Sequence, residues 1–326
     1  MFAQSVTVNG QQDHDAPFPA VFAPATSDTS LAATCRWIMA EREALLEQLG
    51  KSGALLLRGF DVHSDQDFDT LIQAFGLENF AYADSLSNAV RVNRTERVFT
   101  ANEAPPDVSI FMHHEMAQTP IFPSKLFFYC EHAPEADGET PLCRSDRLLV
   151  ALEQAVPEFA AKCRELGVRY SNTMPGTDDA QSGQGRSWRS TLKVESREEA
   201  EAKLAHLGYS WEWLEDGALR ATTPTLPAIR TLVDGRDVFF NQLIAAFRGW
   251  ADAEKSISFG DHSSIDPDDM HKACQLAEEL VFDIPWQTGD VAILDNFLVM
   301  HGRRPFSGTR RVLASLVAND GSRLAA

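Results

Sequence analysis

From residue 124 onward the chain returns repeatedly to short runs of aliphatic, aromatic and β-branched residues, each bounded by Pro, Gly, Asp or Asn. These are "SKLFFYCEHAP", "ETPLCRS", "DVFFNQL", "GDVAILDNF" and "RRVLASLVA". Their composition suits a pleated, half-buried backbone, and the bounding residues suit turns. Dispersed strands with long intervening segments predict a sheet sandwich or jelly roll. Helical patterns lie between them, at "SDRLLVALEQAVPEFAAKCRELG", "REEAEAKLAHLG" and "DMHKACQLAEELV", and are expected to flank the sheets. The fold class is therefore mainly β with flanking helices.

The opening of the chain has another texture. A Pro-rich, extended leader over residues 1–26 precedes "SLAATCRWIMAEREALLEQLGKSG", whose apolar residues recur at helical spacing and stop at Gly53. A buried strand, "GALLLRGF", comes next. It is followed by a second amphipathic helix in "SDQDFDTLIQAFG", with Ser64 or Asp65 as cap. At 326 residues the chain can bury a large core, and one elaborated domain over 1–326 is expected. The Gly-, Ser- and Gln-rich stretch "GTDDAQSGQGRSWRSTL", residues 176–192, is expected to form a lid beside a site.

Charge narrows the classes of partner. With 29 basic against 47 acidic residues the formal charge is −18, which disfavours attraction to nucleic acid or to anionic membranes. The N-terminus lacks a basic region followed by an apolar one, and no apolar run is long enough to span a bilayer, so a cytoplasmic protein is expected. Five widely spread cysteines, Cys35, Cys130, Cys143, Cys163 and Cys274, form no C-x-x-C pair and suggest neither disulfides nor a zinc ribbon.

Two His-x-Asp/Glu triplets occur. His63-Ser64-Asp65 immediately precedes an amphipathic helix, where Ser and Asp serve as caps for free backbone N–H groups. His113-His114-Glu115 instead lies between Pro105-Pro106 and Pro120, in a context that favours extended chain. In extended chain His113 and Glu115 face one side and His114 the other. A third candidate, His301, ends the apolar run in "DVAILDNFLVMHGRRPF". Two His and one carboxylate form the facial set that suits Fe(II) and leaves three positions open.

In order and spacing, "GALLLRGF", "SKLFFYCEHAPEADGETPL" and "DNFLVMHGRRPFSGTRRVLASL" resemble the Fe(II)/2-oxoglutarate-dependent oxygenases of the taurine dioxygenase and clavaminate synthase-like group. H-x-E in place of H-x-D, together with "GETP" and "HGRRPF", places the likeness nearest the clavaminate synthase-like branch. The resemblance implies a double-stranded β-helix (jelly-roll) core with His113, Glu115 and His301 on Fe(II), and with 2-oxoglutarate and O2 as cosubstrates. It also implies a Thr some way past the carboxylate, met by Thr140, and an Arg shortly past the distal His. Arg310 and Arg311 compete for that last role. Arg310 shares a strand face with Val312, Ala314 and Leu316, read here as the side packed on helices, so Arg311 is expected to bind the distal carboxylate of 2-oxoglutarate.

The implied reaction couples decarboxylation of 2-oxoglutarate, giving succinate and CO2, to oxidation of a substrate C–H bond. Glu115 leaves no vacated metal position for halide, which favours hydroxylation over halogenation and leaves desaturation open. The implied substrate is a small polar molecule, a free or carrier-protein-tethered amino acid, with Arg94, Arg186, Trp188 and Asn241 as candidate contacts. Two other readings compete. One is a zinc hydrolase using His113, His114 and His301 with Glu115 as base. The other is a jelly-roll binding protein without chemistry.

Overall fold

The computed structural model describes residues 2–82, 85–87, 91–101, 104–178, 186–250 and 256–325. A seven-stranded sheet runs in the order Ala3–Val6, Ala20–Pro24, Ala54–Leu57, Val291–Asp295, Lys125–His132, Arg311–Val317, Phe99–Thr100. A four-stranded sheet, ordered Val281–Ile284, Thr140–Arg144, Val299–Arg303, Ile110–His113, faces it. The pairing is antiparallel throughout these two sheets except between Ala20–Pro24 and Ala54–Leu57. Most strands expected from the sequence are present; of "DVFFNQL" only Asp237–Val238 is a strand, in a separate two-stranded sheet, and Leu243 begins a helix. The first 26 residues, read as a leader, supply two strands of the larger sheet.

The main apolar core fills the space between the sheets. Leu142, Phe282, Ile284 and Val299 of the small sheet meet Leu56, Leu126, Phe128, Leu294, Val312 and Leu316 of the large one. The outer face of the large sheet is covered by helices Leu31–Ser52 and Asp65–Ala74, through Ile38, Leu45, Leu49, Phe68 and Leu71 against Leu55, Phe127, Ile293 and Leu313. Each such side chain, fully buried, contributes about 1.5–3 kcal/mol. Helices Ser145–Ala155, Pro157–Leu166 and Pro267–Glu279 cover the small sheet in the same way. The single helical pattern expected over the first two is split at Pro157, which cannot donate a backbone hydrogen bond and starts the second helix instead.

Helix starts follow their caps. The side chains of Ser30 and Ser64 accept hydrogen bonds from the N–H groups of Ala33 and Asp67, satisfying donors that the first turn leaves free. His63 stands just outside this cap with a side chain 76% exposed, a structural position away from any site. A further four-stranded sheet, Ser210–Trp213, Leu219–Thr222, Val168–Met174, Ile257–Phe259, carries its own small core around Trp188, Leu192, Leu204 and Leu219.

One glycine governs how closely the site strands approach. Pairing between Val299–Arg303 and Ile110–His113 shifts register between His301 and Arg303, and Gly302 sits at that shift. A Cβ there would lie 2.4 Å from the carbonyl oxygen of Ile110. Gly302→Ala should therefore push the strands apart and destabilise the fold by about 1–3 kcal/mol. An unchanged denaturation midpoint would show that the strands can separate freely at this point.

Candidate active site

The small sheet brings the triad together by register. His301 pairs directly with His113 across adjacent strands, and both side chains point between the sheets while Met112 and Met300 point to the helices. Their rings lie 4.4 Å apart, centroid to centroid. Glu115 follows where the strand ends, and its Oε2 stands 3.7 Å from His113 Nε2 and 3.6 Å from His301 Nε2. His113 Nδ1 donates to the carbonyl of Phe111 at 2.8 Å, the tautomer that turns the Nε2 lone pair toward Glu115. Ligand atoms of the three residues all lie within 4.8 Å of one another. Two imidazole Nε2 atoms and one carboxylate oxygen, open to a cavity on one side, fit a divalent transition metal.

Glu115 is held from both ends. Asn296 accepts from its backbone N–H at 2.8 Å and donates to its carbonyl at 3.0 Å, and also to the Pro123 carbonyl. Burial raises the carboxyl pKa, but the Arg91 guanidinium and the two imidazoles together hold it well below the usual carboxylate range. The His301 pKa is likewise lowered, to about 4, by burial and by His113 beside it. Both shifts favour the protonation states a metal ligand requires.

The adjoining cavity, of about 60 Å³, is lined by the triad, Arg91, Thr140 and Arg310 among others. Thr140 is buried, and its Oγ1 accepts from Trp286 Nε1 at 3.0 Å and from Arg310 Nη2 at 3.2 Å. With both lone pairs occupied, the hydroxyl hydrogen is available to an acceptor in the cavity. Arg310 also donates to the Gly138 carbonyl at 2.7 Å. Burial, and then the charge of Arg303, lower its pKa to about 10. It has no carboxylate partner among the described residues.

The expectation for Arg311 is corrected here. Its side chain is 57% exposed and pairs with Glu131 at 3.0 Å, outside the cavity. Arg310 does share a face with Val312, Ala314 and Leu316, but that face is the interior between the sheets; Leu313 and Val317 are the ones packed on helices. The strand alternates as expected, with its inner and outer faces the reverse of the expectation.

The model of the taurine catabolism dioxygenase TauD, TfdA family matches residues 14–316. The chain belongs to that family. It is 40% identical over 318 residues to a clavaminate synthase-like protein of Arabidopsis thaliana, covering 94% of this chain and 96% of the plant protein. It is 32% identical over 289 residues to the dapdiamide synthesis protein DdaC of Enterobacter agglomerans, covering 83% and 84%. Its fold is similar to that of PvcB, described as an Fe, α-ketoglutarate dependent oxygenase from an isonitrile synthetic pathway, with TM-score 0.57, 13% identity and coverage of 99% and 93%. Membership of the TauD, TfdA family makes the chain an oxygenase with a jelly-roll core. Among the described residues no helix is long and apolar enough to cross a membrane.

As a member of this family the chain departs from the readings that used other residues. His114 is fully buried, its Nδ1 bonded to the Asn296 carbonyl and its ring 4.8 Å from that of Phe240, so the three-histidine zinc set does not form. Desolvation lowers its pKa to about 3. None of the four candidate substrate residues lines the triad's cavity. Arg94 pairs with Asp65 and Glu131 on the outside of the large sheet. Asn241 is spent on backbone, donating to the Ala228 carbonyl and accepting from the Leu243 N–H. Trp188 is 1% exposed and packs edge-on to Trp213 at 5.0 Å, while Arg186 bonds the carbonyls of Ser87 and Ser190. Of the expected lid, residues 179–185 lie outside the described residues, and Trp188–Leu192 form a short helix rather than a flap.

Arg91, Asn296 and Trp286 are site residues that sequence reasoning missed, whereas Arg310 is weighed there but placed behind Arg311. For Asn296 there was a signal, a lone amide closing the apolar run "VAILDNF". Asn296→Ala would leave the N–H of Glu115 and two buried carbonyls without partners, at about 1–3 kcal/mol for such a group. A total loss of about 2–4 kcal/mol in denaturant unfolding is expected, with weakened metal binding. A loss under about 1 kcal/mol would mean that water replaces the amide.

Proposed function

We propose that the chain is an Fe(II)- and 2-oxoglutarate-dependent dioxygenase that hydroxylates a C–H bond of a small polar substrate, an amino acid free or tethered to a carrier protein. The observation that carries this reading is the meeting of His113 Nε2, His301 Nε2 and Glu115 Oε2 beside Arg310, a partly buried guanidinium with no carboxylate partner among the described residues. A cavity so arranged suits an anion that reaches a metal with one end and a guanidinium with the other.

In this reading His113, Glu115 and His301 hold the iron, which when bound supplies O2 activation coupled to cosubstrate decarboxylation. The balanced change is 2-oxoglutarate, O2 and R–H to succinate, CO2 and R–OH. Arg310 receives the distal carboxylate of 2-oxoglutarate through its planar fork, and Thr140 donates its remaining hydrogen to the same group. Trp286 keeps the Thr140 hydroxyl in that orientation by filling one of its lone pairs. Support for the substrate class comes from the clavaminate synthase-like and dapdiamide-synthesis relatives and from the polar, cationic lining of the cavity.

Succinate formation tests the assignments. His113→Ala, Glu115→Ala and His301→Ala should each abolish substrate-dependent succinate release while leaving the fold intact. Arg310→Gln should raise the 2-oxoglutarate concentration for half-maximal rate on the order of 30-fold or more, because a charge-assisted, desolvated partner is worth about 2–5 kcal/mol. Arg311→Gln should be near wild type. The reverse ranking would return the anchor to Arg311. Screening free and carrier-loaded amino acids for accelerated succinate release tests the substrate class, and acceleration only by non-amino-acid compounds would remove it.

A further inference from the structure

The carboxylate of Glu115 divides its two oxygens between different partners. Oε2 faces the imidazoles at 3.6 and 3.7 Å, while Oε1 accepts a hydrogen bond from Arg91 Nη2 at 3.0 Å. Both side chains are nearly buried, 9% exposed for Arg91 and 6% for Glu115. Solvent can therefore do little to weaken or replace the contact.

Arg91 is itself held in place. Its guanidinium carbon lies 4.9 Å from the Tyr82 ring centroid and 5.3 Å from that of Phe99, and the two rings are 5.3 Å apart. Phe99 belongs to a strand at the edge of the large sheet, paired opposite Ala314. The guanidinium is thus positioned by the framework of the large sheet, whereas His113 and His301 belong to the small one.

We propose that Arg91 is the positioning residue of the metal centre: it engages Glu115 Oε1 so that the carboxylate offers the ion Oε2 alone. The inference rests on the iron-triad reading above. A glutamate has three side-chain torsions, and a carboxylate left free at both oxygens can rotate away or bind an ion through both. The first loses a ligand, and the second occupies a position that the facial triad leaves open. Arg91 prevents both, since its planar donor group rests against two adjoining rings and addresses one oxygen. It is no metal ligand and acts only through Glu115.

The test uses Mn(II) binding to the full-length, metal-stripped protein, followed by calorimetry and by loss of the free-ion magnetic resonance signal, without cosubstrate or substrate. Partners of metal-ligating groups typically alter affinity by about 10–100-fold. Arg91→Met should weaken Mn(II) binding on the order of ten-fold or more. Arg91→Lys, which keeps the charge and one donor but not the fork, should fall between Arg91→Met and wild type. Circular dichroism establishes that each variant is folded; should Arg91→Met not fold, the Arg91→Lys loss alone is diagnostic. Unchanged affinity in the folded variants would overturn the proposal by placing Arg91 with substrate or cosubstrate instead. Tighter binding in Arg91→Met would overturn it by reducing Arg91 to a charge that repels the ion. Failure of the triad reading looks different: wild type would then bind Mn(II) no better than His301→Ala.

Discussion

The direct pairing of His113 with His301 across two antiparallel strands is the contact on which the rest of the site depends. Strand neighbours keep their side chains at a separation fixed by the backbone ladder, so both imidazoles are placed before any metal arrives. That ladder tolerates nothing larger than glycine beside His301, where the carbonyl of Ile110 approaches Gly302. Glu115 lies just past the strand, where the ladder no longer holds it. Asn296 fixes its backbone and Arg91 its carboxylate, doing by side chain what pairing does for the histidines.

Charge gives the cavity its second property. Arg91, Arg303 and Arg310 line it together with the Glu115 carboxylate, a surplus of positive charge in a largely desolvated space. Arg91 is matched by Glu115 and Arg303 by carbonyls of Ala104, Pro105 and Val108, which among the described residues leaves Arg310 with only neutral acceptors. A metal cation alone would increase the imbalance, whereas a dicarboxylate arriving with it would relieve it. The depressed pKa of Arg310 expresses the same strain, since burial and Arg303 both disfavour its charged form.

What could be read from the sequence followed from how local each signal was. Extended chain was the reason to separate His113 and Glu115 from His114; the structure groups His113 and Glu115 with His301 and turns His114 elsewhere, with Glu115 just past the strand's end. The assignment of Arg311 failed because Arg311–Val317 is buried on both faces after its first residue, one side against the other sheet and one against helices. A strand without a polar face gives alternation no means of telling inside from outside. Trp188 was read as part of a flap because of its Gly- and Ser-rich neighbours, yet its own bulk placed it in the small core beside Trp213. Arg91 carried no motif; its role arises from contacts with Tyr82, Phe99 and Glu115 that exist only in the folded chain.

The most direct measurement of the account is an anaerobic titration of 2-oxoglutarate into the Fe(II)-loaded protein, followed by visible absorption. Chelation beside a His, Glu, His triad should produce a metal-to-ligand charge-transfer band that saturates at one cosubstrate per chain. His301→Ala should show no such band. A wild-type protein that binds Fe(II) yet gives no band at saturating 2-oxoglutarate would contradict the central claim that this cavity brings metal and cosubstrate together.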